Sequence, residues 1–450
     1  MAQQNLNIGL SREQIRAAVQ ADFVELYAAL NSAYGTNLVP RLLNSGLSDS
    51  QVLDFTRANF ADLYAAVKAQ GLTGAPRYLN AGLSSDQLRA ATQANFTDLY
   101  TLLGGAKPLY PMLGLMASPP AATWKGDGTT TIAGAVTYNQ LSGVWRYLNA
   151  TATHASGYYQ ATPSTAEVFV ADTYVPSADE VDLRFLRFNS SIMVFVNRQP
   201  ISATAFTTDA SGSANLLQLR FAGTPLEGQP KRIRVYGINI LFAGMYISFG
   251  KTAALPTGNR PVMALETDSY GGDTGGVTGL GFYRSCFEAL GYDVVIDPVG
   301  STSYLTGAGA TAAATRMTNR IGVLPAAPTR IGLFLAFNAQ GGDMGLLATN
   351  HAATIAAKEA VWPGVPVDTW GPWTPQGETA NLALVKNALI ASAAANNSKF
   401  FDIANIINAS NAATYGYAAE APNYVHPNVA GHTYLGEQMA LRGRAGGLLV

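Results

Sequence analysis

Four histidines are spread through the chain, His154, His351, His426 and His432. Two of them share one segment, Asn423-Tyr-Val-His426-Pro-Asn-Val-Ala-Gly-His432. A zinc site would need further ligands, and no Glu or Cys sits at metal-ligand spacing around this pair. A general base is the other use of such a histidine, and a base needs a nucleophile. The sequence Glu266-Thr267-Asp268-Ser269-Tyr270-Gly271 follows an apolar run at 262–265. A serine at a strand-to-loop turn can present its hydroxyl beyond the sheet edge to a base. This is not the Gly-x-Ser-x-Gly elbow, because Thr267 stands where the first glycine would be. An Asp-Ser pair alone carries no weight. Its place after an apolar strand, with a His-Pro block near the C-terminus, gives it weight. Cys286 is the only cysteine, so an intrachain disulfide framework and a cysteine-rich metal site are excluded. We expect neither a metal nor a cofactor. His154, His351 and His432 read as structural.

The elements that must hold these residues are legible in outline. Residues 256–450 alternate apolar strands (262–265, 292–296, 331–337, 400–403) with helix-like stretches (282–290, 352–360, 380–395), which predicts an α/β layer on a parallel sheet. Residues 124–255 change to a period of two. Val181, Leu183 and Phe185 alternate with Asp182 and Arg184, and turn residues recur at short intervals, the pattern of an antiparallel β-sandwich. Residues 106–123 are rich in Gly and Pro and read as a linker. Residues 1–105 contain a repeat. Gly-Leu-Ser recurs at Gly9, Gly46 and Gly82, and each copy precedes a Phe-x-x-Leu-Tyr block starting at Phe23, Phe60 and Phe96. Ser11, Ser48 and Ser84 are expected N-caps, with Gln14, Gln51 and Gln87 as capping-box partners. Three amphipathic helices follow, a module for attachment or oligomerisation that should bury its stripes more easily against other copies or a partner.

Composition narrows the function. Lys and Arg total 28 against 29 Asp and Glu, a balance that argues against a nucleic-acid partner. Charged residues are 13% of the chain, where about 25% is usual, while 48% is hydrophobic. The surface is therefore covered by neutral polar and small residues, which suits an assembled or sugar-facing protein. The opening residues lack the basic and apolar regions of a secretory signal, and no run is long enough for a membrane span.

With these residues in view, positions 260–442 resemble the SGNH (GDSL-like) hydrolase family. Asp268-Ser269 matches its first block, whose serine is the nucleophile. Gly300, in Asp297-Pro298-Val299-Gly300-Ser301, matches the glycine block, and Asn338 matches the third block. The final Asp-x-x-His-Pro is matched by Asn423-x-x-His426-Pro427. Three departures stand out: Thr267 for a glycine, no glycine or trailing aspartate around Asn338, and Asn423 where the family has its acid. Either Asn423 or a backbone carbonyl orients His426, or another acid does so, with Asp343 and Glu420 as candidates. A degenerate site that only binds is the remaining option.

The resemblance implies a serine carbohydrate esterase, an O-deacetylase. Ser269 would attack, His426 would act as base with Asn423 as its orienter, and Ser269, Gly300 and Asn338 would supply the oxyanion site. Trp370 and Trp373 are expected to shape a sugar-binding wall. The implied fold is multidomain: N-terminal all-α helical repeats, a jelly-roll-like sandwich and a C-terminal α/β three-layer domain. Joined to the repeats, the whole resembles a phage-type virion spike or fibre. It would be made in the bacterial host cytoplasm, be homotrimeric, contact other virion proteins through the repeats, and act on host cell-surface polysaccharide. A receptor-binding adhesin with an inactive fold is the alternative, and a cytoplasmic esterase of small substrates a third.

Overall fold

The computed structural model describes residues 115–448 apart from 150, 163–167, 187–189 and 208–213, together with 39–43, 47–69 and parts of 15–27 and 91–99. The chain divides into two compact units, Met1–Tyr110 with Arg444–Leu449, and Pro111–Gly443 with Val450.

In the first unit the helix Asp49–Ala69 starts as its sequence dictates. The Gln51 N–H donates to Ser48 Oγ at 3.3 Å and the Ser48 N–H donates to Gln51 Oε1 at 2.9 Å, the reciprocal capping box. The other two expected boxes and linker residues 106–114 lie outside the described residues. The repeat resolves into a triangle of rings. Phe23, Phe60 and Phe96 lie 4.8–4.9 Å apart, centroid to centroid, with near-equal tilts of 59–63°. Leu26, Leu63 and Leu99 are fully buried beside them. Among the described residues, the Phe and Leu of the three blocks thus pack into one cluster within the chain.

The second unit opens with antiparallel strands in two sheets. One has the order β1 (Ala121–Lys125), β11 (Ala214–Arg220), β7 (Glu180–Leu186), β13 (Leu241–Ile247), β5 (Tyr159–Ala161), β4 (Thr151–Thr153), with β2 (Val136–Tyr138) on β13. The other runs β10 (Phe206–Thr207), β8 (Ser191–Val196), β12 (Lys231–Ile238), β6 (Val168–Val175), β3 (Arg146–Tyr147), with β9 (Gln199–Pro200) on β8. The alternating residues read from the sequence, Val181, Leu183 and Phe185, point into the shared core with Phe169, Leu217 and Phe242.

A five-stranded parallel sheet follows, ordered β15 (Asp293–Pro298), β14 (Val262–Thr267), β16 (Arg330–Phe334), β17 (Val367–Gly371), β18 (Lys399–Asp402). β17 was not among the expected strands, and it carries Trp370. From β14 the chain steps outward to β15 and then back across to β16, so right-handed crossovers place helices on opposite faces. The C-terminal helix Val429–Ala445 packs on the Phe282–Phe287 helix at Gly436, where an added Cβ would come within 2.4 Å of Phe282 O and Ser285 Cβ. The carboxyl ends of β14, β15 and β16 meet at this reversal of strand order, the place where open α/β sheets bind ligands.

Sandwich and parallel sheet, expected as separate domains, lie in one unit and share a charged seam. Asp172 of β6 and Asp293 of β15 are both buried. Arg234 donates to Asp172 through Nε (2.6 Å) and Nη2 (3.0 Å), and its Nη2 also donates to Asp293 at 2.8 Å. Arg232 adds a bond to Asp172 at 2.6 Å, and Arg146 one to Asp293 at 2.7 Å. Burial pushes both carboxyls upward, but the guanidinium charges, Arg234 foremost, outweigh it and hold both below the usual range. A second seam holds the loop after the nucleophile. Tyr283 donates to Asp273 at 3.0 Å and accepts the hydroxyl of Tyr236 of the sandwich at 2.8 Å, and Ser191 donates to Thr278 at 2.9 Å.

Candidate active site

Ser269 stands two residues beyond β14, at the start of a single 3-10 turn, Ser269–Gly272. Asp268 caps this turn: its Oδ1 accepts the Tyr270 N–H at 3.1 Å. The turn is tight, since a Cβ on Gly271 would fall 1.8 Å from Thr267 Oγ1. The serine is half-buried while Tyr270 beneath it is fully buried. Burial pushes the Asp268 carboxyl up to about 8, only partly offset by the Tyr270 N–H and the Arg316 charge.

Ser269 Oγ–H donates to His426 Nε2 at 2.8 Å, across 157 residues of sequence. On the other side of the ring, Nδ1–H donates to Glu420 Oε1 at 2.6 Å, and the His426 backbone N–H donates to Glu420 Oε2 at 2.7 Å. The carboxylate bonded to His426 is that of Glu420, where Asn423 was expected. Asn423 is exposed, and its backbone N–H donates to Glu420 O at 2.9 Å. The loop's path explains the exchange. Tyr417 N–H donates to His426 O at 2.8 Å and Gly416 bridges Pro427, so the segment closes on itself. A short turn, Ala418–Glu420, then aims residue 420 inward. The other candidate, Asp343, is occupied as an N-cap, accepting from the Gly345 and Leu346 N–H groups.

The histidine is steadied from beneath. Trp373 Nε1–H donates to Val425 O at 2.8 Å, and the Tyr270 ring packs on Trp373 (5.3 Å) and on the imidazole (5.1 Å). Both tryptophans expected to form a sugar-binding wall are buried, about 1% exposed. Trp370 lies in β17, stacked on Phe401 at 4.3 Å and set edge-on to Phe287. β17 is buried along its whole length, so either face of the strand is core. Trp373 is a support for the His426 segment. The exposed aromatic at this rim is Tyr417, 37% exposed, its Cβ beside Gly275 in the loop after the nucleophile. Only the folded loop reveals it.

Gly300 follows β15 and is exposed; a Cβ placed on it would lie 3.9 Å from Ser269 Cβ, so this backbone passes beside the serine. Among the described residues no acceptor is bonded to the Ser269 or Gly300 N–H. Asn338 follows β16, half-buried, and one N–H of its amide donates to Thr302 O at 3.1 Å. His432 is structural as expected: Nδ1 accepts the Phe282 N–H at 3.3 Å and Nε2–H donates to Thr274 O at 3.1 Å. Burial pushes it down to about 4, and it does the same to His351, held between Ser392 and Thr369. Among the described residues no cluster of three or more His, Cys, Asp or Glu could hold a metal ion, and no helix is long and apolar enough to cross a membrane.

A hydroxyl, an imidazole and a carboxylate bonded in series, with two backbone N–H groups and an amide nearby, can carry out nucleophilic acyl transfer. No protein-family model and no curated protein sequence matches the chain. Solved structures do. A salicylyl-acyltransferase from a tetracycline biosynthetic pathway is 13% identical, with 70% of this chain and 99% of that one covered and a TM-score of 0.55. A family two carbohydrate esterase from Clostridium thermocellum, in complex with cellohexaose, is 12% identical over 68% of this chain and all of its own, with a TM-score of 0.51. What is shared is the fold. The covered shares exceed what the α/β part alone supplies, so the likeness extends into residues outside it.

Proposed function

We propose that this protein is a serine esterase that removes acyl groups, acetyl first among them, from polysaccharide. The observation that carries the reading is the bonded series Ser269–His426–Glu420 at the carboxyl ends of the parallel sheet. His426 Nε2 takes the proton of Ser269 Oγ as that oxygen attacks the ester carbonyl. The negative charge developing on the carbonyl oxygen falls among the Ser269 and Gly300 N–H groups and Asn338, while Glu420 faces the imidazolium. Collapse breaks the ester C–O bond, His426 returns the proton to the departing sugar hydroxyl, and an acyl-enzyme remains. Water, deprotonated by His426, then releases the acid and regenerates Ser269.

Carbohydrate is favoured over a lipid by three features: the charge-poor surface, the exposed Tyr417 beside His426, and a fold shared with a carbohydrate esterase. The adhesin reading rested on Asn423 in the acid's place, and Glu420 removes that ground. We further propose that the chain serves on a phage-type virion as a trimeric spike or fibre, made in the host cytoplasm, with the repeats as its attachment module and host surface polysaccharide as its substrate. The purified protein should release acetate from acetylated polysaccharide and from a chromogenic acetate ester. A fluorophosphonate should label Ser269, and Ser269→Ala should lose both. Equal turnover by wild type and Ser269→Ala would end the esterase reading, and light scattering that returns a monomer would end the trimer.

A further inference from the structure

The mechanism above uses Gly300 and Asn338 but leaves unexplained a fully buried cation beneath them. Arg316, in the helix Ala313–Asn319, is 0% exposed. Its Nε–H donates to Asp297 Oδ2 at 2.8 Å, Nη2–H donates to Thr267 O at 2.8 Å and also to Asp297 O, and Nη1–H donates to Thr302 Oγ1 at 3.0 Å. One guanidinium thus joins the end of β14, the end of β15 and the loop between β15 and this helix. A rigid planar fork suits such a junction, and a lysine's single ammonium could not reach all of these acceptors at once.

Thr302 is where this junction meets the site. Its hydroxyl accepts from Arg316 and donates to Val299 O at 2.7 Å, closing the turn Val299-Gly300-Ser301-Thr302. Val299 N–H is itself bonded to Thr267 O at 3.1 Å, so the turn is fixed at both ends. Ser301 within it holds φ at 61°, a left-handed conformation that a non-glycine residue adopts only when its surroundings impose it. The carbonyl of the same Thr302 accepts the Asn338 side-chain N–H. Both donors outside the nucleophile's own residue therefore depend on one threonine, and that threonine's hydroxyl depends on Arg316.

We propose that Arg316 is a positioning residue for the oxyanion site, acting through Thr302 to hold the Gly300 turn and the Asn338 amide in place. This rests on the esterase reading. Thr302 is 4% exposed, so its contacts are not exchanged with water. Asp297, which takes a second bond from Arg320 at 2.8 Å, anchors the guanidinium from the other side. Glu266 lies 3.7 Å from Arg316 Nη1, beyond hydrogen-bond reach.

The test uses the full chain with Thr302→Val, which removes the hydroxyl at nearly constant shape, Thr302→Ser, which restores it, and Arg316→Lys. A circular-dichroism spectrum and melting curve establish that each is folded, and Thr302→Val serves if the arginine variant does not fold. On a chromogenic acetate ester, Thr302→Val should lower kcat about ten- to a hundredfold, less than the ~10²–10³ for outright loss of an oxyanion donor. KM should stay within about twofold, and the pH profile of kcat should not move. Thr302→Ser should recover most of the loss. Folded Thr302→Val with kcat within twofold of wild type would overturn the proposal, as would a loss confined to KM or a shifted pH profile. Wild type inactive on every ester would instead overturn the esterase reading itself.

Discussion

Glu420 holds His426 with both carboxylate oxygens, one on the ring Nδ1–H at 2.6 Å and one on the same residue's backbone N–H at 2.7 Å. A single acid thereby fixes the tautomer of the base and the position of the chain that carries it. Glu420→Gln keeps the shape but presents a group that need not accept the Nδ1 proton. We expect kcat to fall by about 10²–10⁴. Asn423→Ala should stay within about twofold of wild type. Steady-state kinetics on a small ester decide this, and the reverse ranking would return the acid's role to Asn423.

The three aromatic residues should separate by readout. Tyr417→Ala should raise KM for acetylated polysaccharide about tenfold and leave a small chromogenic ester unchanged, because only the polymer extends past the rim. Trp373→Phe loses the bond to Val425 O, so kcat should fall on both substrates. Trp370→Phe should cost stability alone. A Tyr417→Ala enzyme with unchanged polymer kinetics would remove the sugar-stacking role.

Asp172 accepts from Arg232 and Arg234 where sandwich and sheet meet. Asp172→Ala strands buried guanidinium groups and should cost about 3–5 kcal/mol in a denaturant titration. Sandwich and α/β signals should be lost together in wild type. Separate transitions would show that the seam does not couple them.

The buried carboxyl of Glu266, pushed up to about 8 by burial and only partly lowered by Arg316, gives a pH signature. In an unfolded chain it ionises near 4.3. Between these values the unfolded state has lost a proton that the folded state keeps, so stability falls as pH rises, by about 1.4 kcal/mol per unit for this group. Asp268 and Asp273, raised to about 8 and about 7 by burial, act in the same sense. The buried His351 and His432 act oppositely, but only below about pH 6.5. The urea midpoint should therefore be lower at pH 8 than at pH 6.5, and Glu266→Gln should flatten that difference. A midpoint that rises over this range would contradict the assignment.

Much of this protein was legible in its residues. The repeat period, the capping box at Ser48 and Gln51, the alternation in β7 and the apolar strand before Ser269 are local patterns, and local patterns survive folding because backbone geometry imposes them. Ser269 and His426 could be picked out because their chemistry and flanking residues are written in the order of the chain. Three things could not. Glu420 and Asn423 both precede His426 at short range, and only the loop closed by Tyr417 and His426 decides which one faces the ring. Trp370 and Trp373 were expected to form a wall until β17 buried the first and packing against Tyr270 and the His426 segment buried the second. Arg316 carries no signal at all in sequence, since its acceptors lie 14 to 49 residues away. Spacing along the chain limits which side chains can meet; the crossing of β14, β15 and β16 at one sheet edge selects those that do.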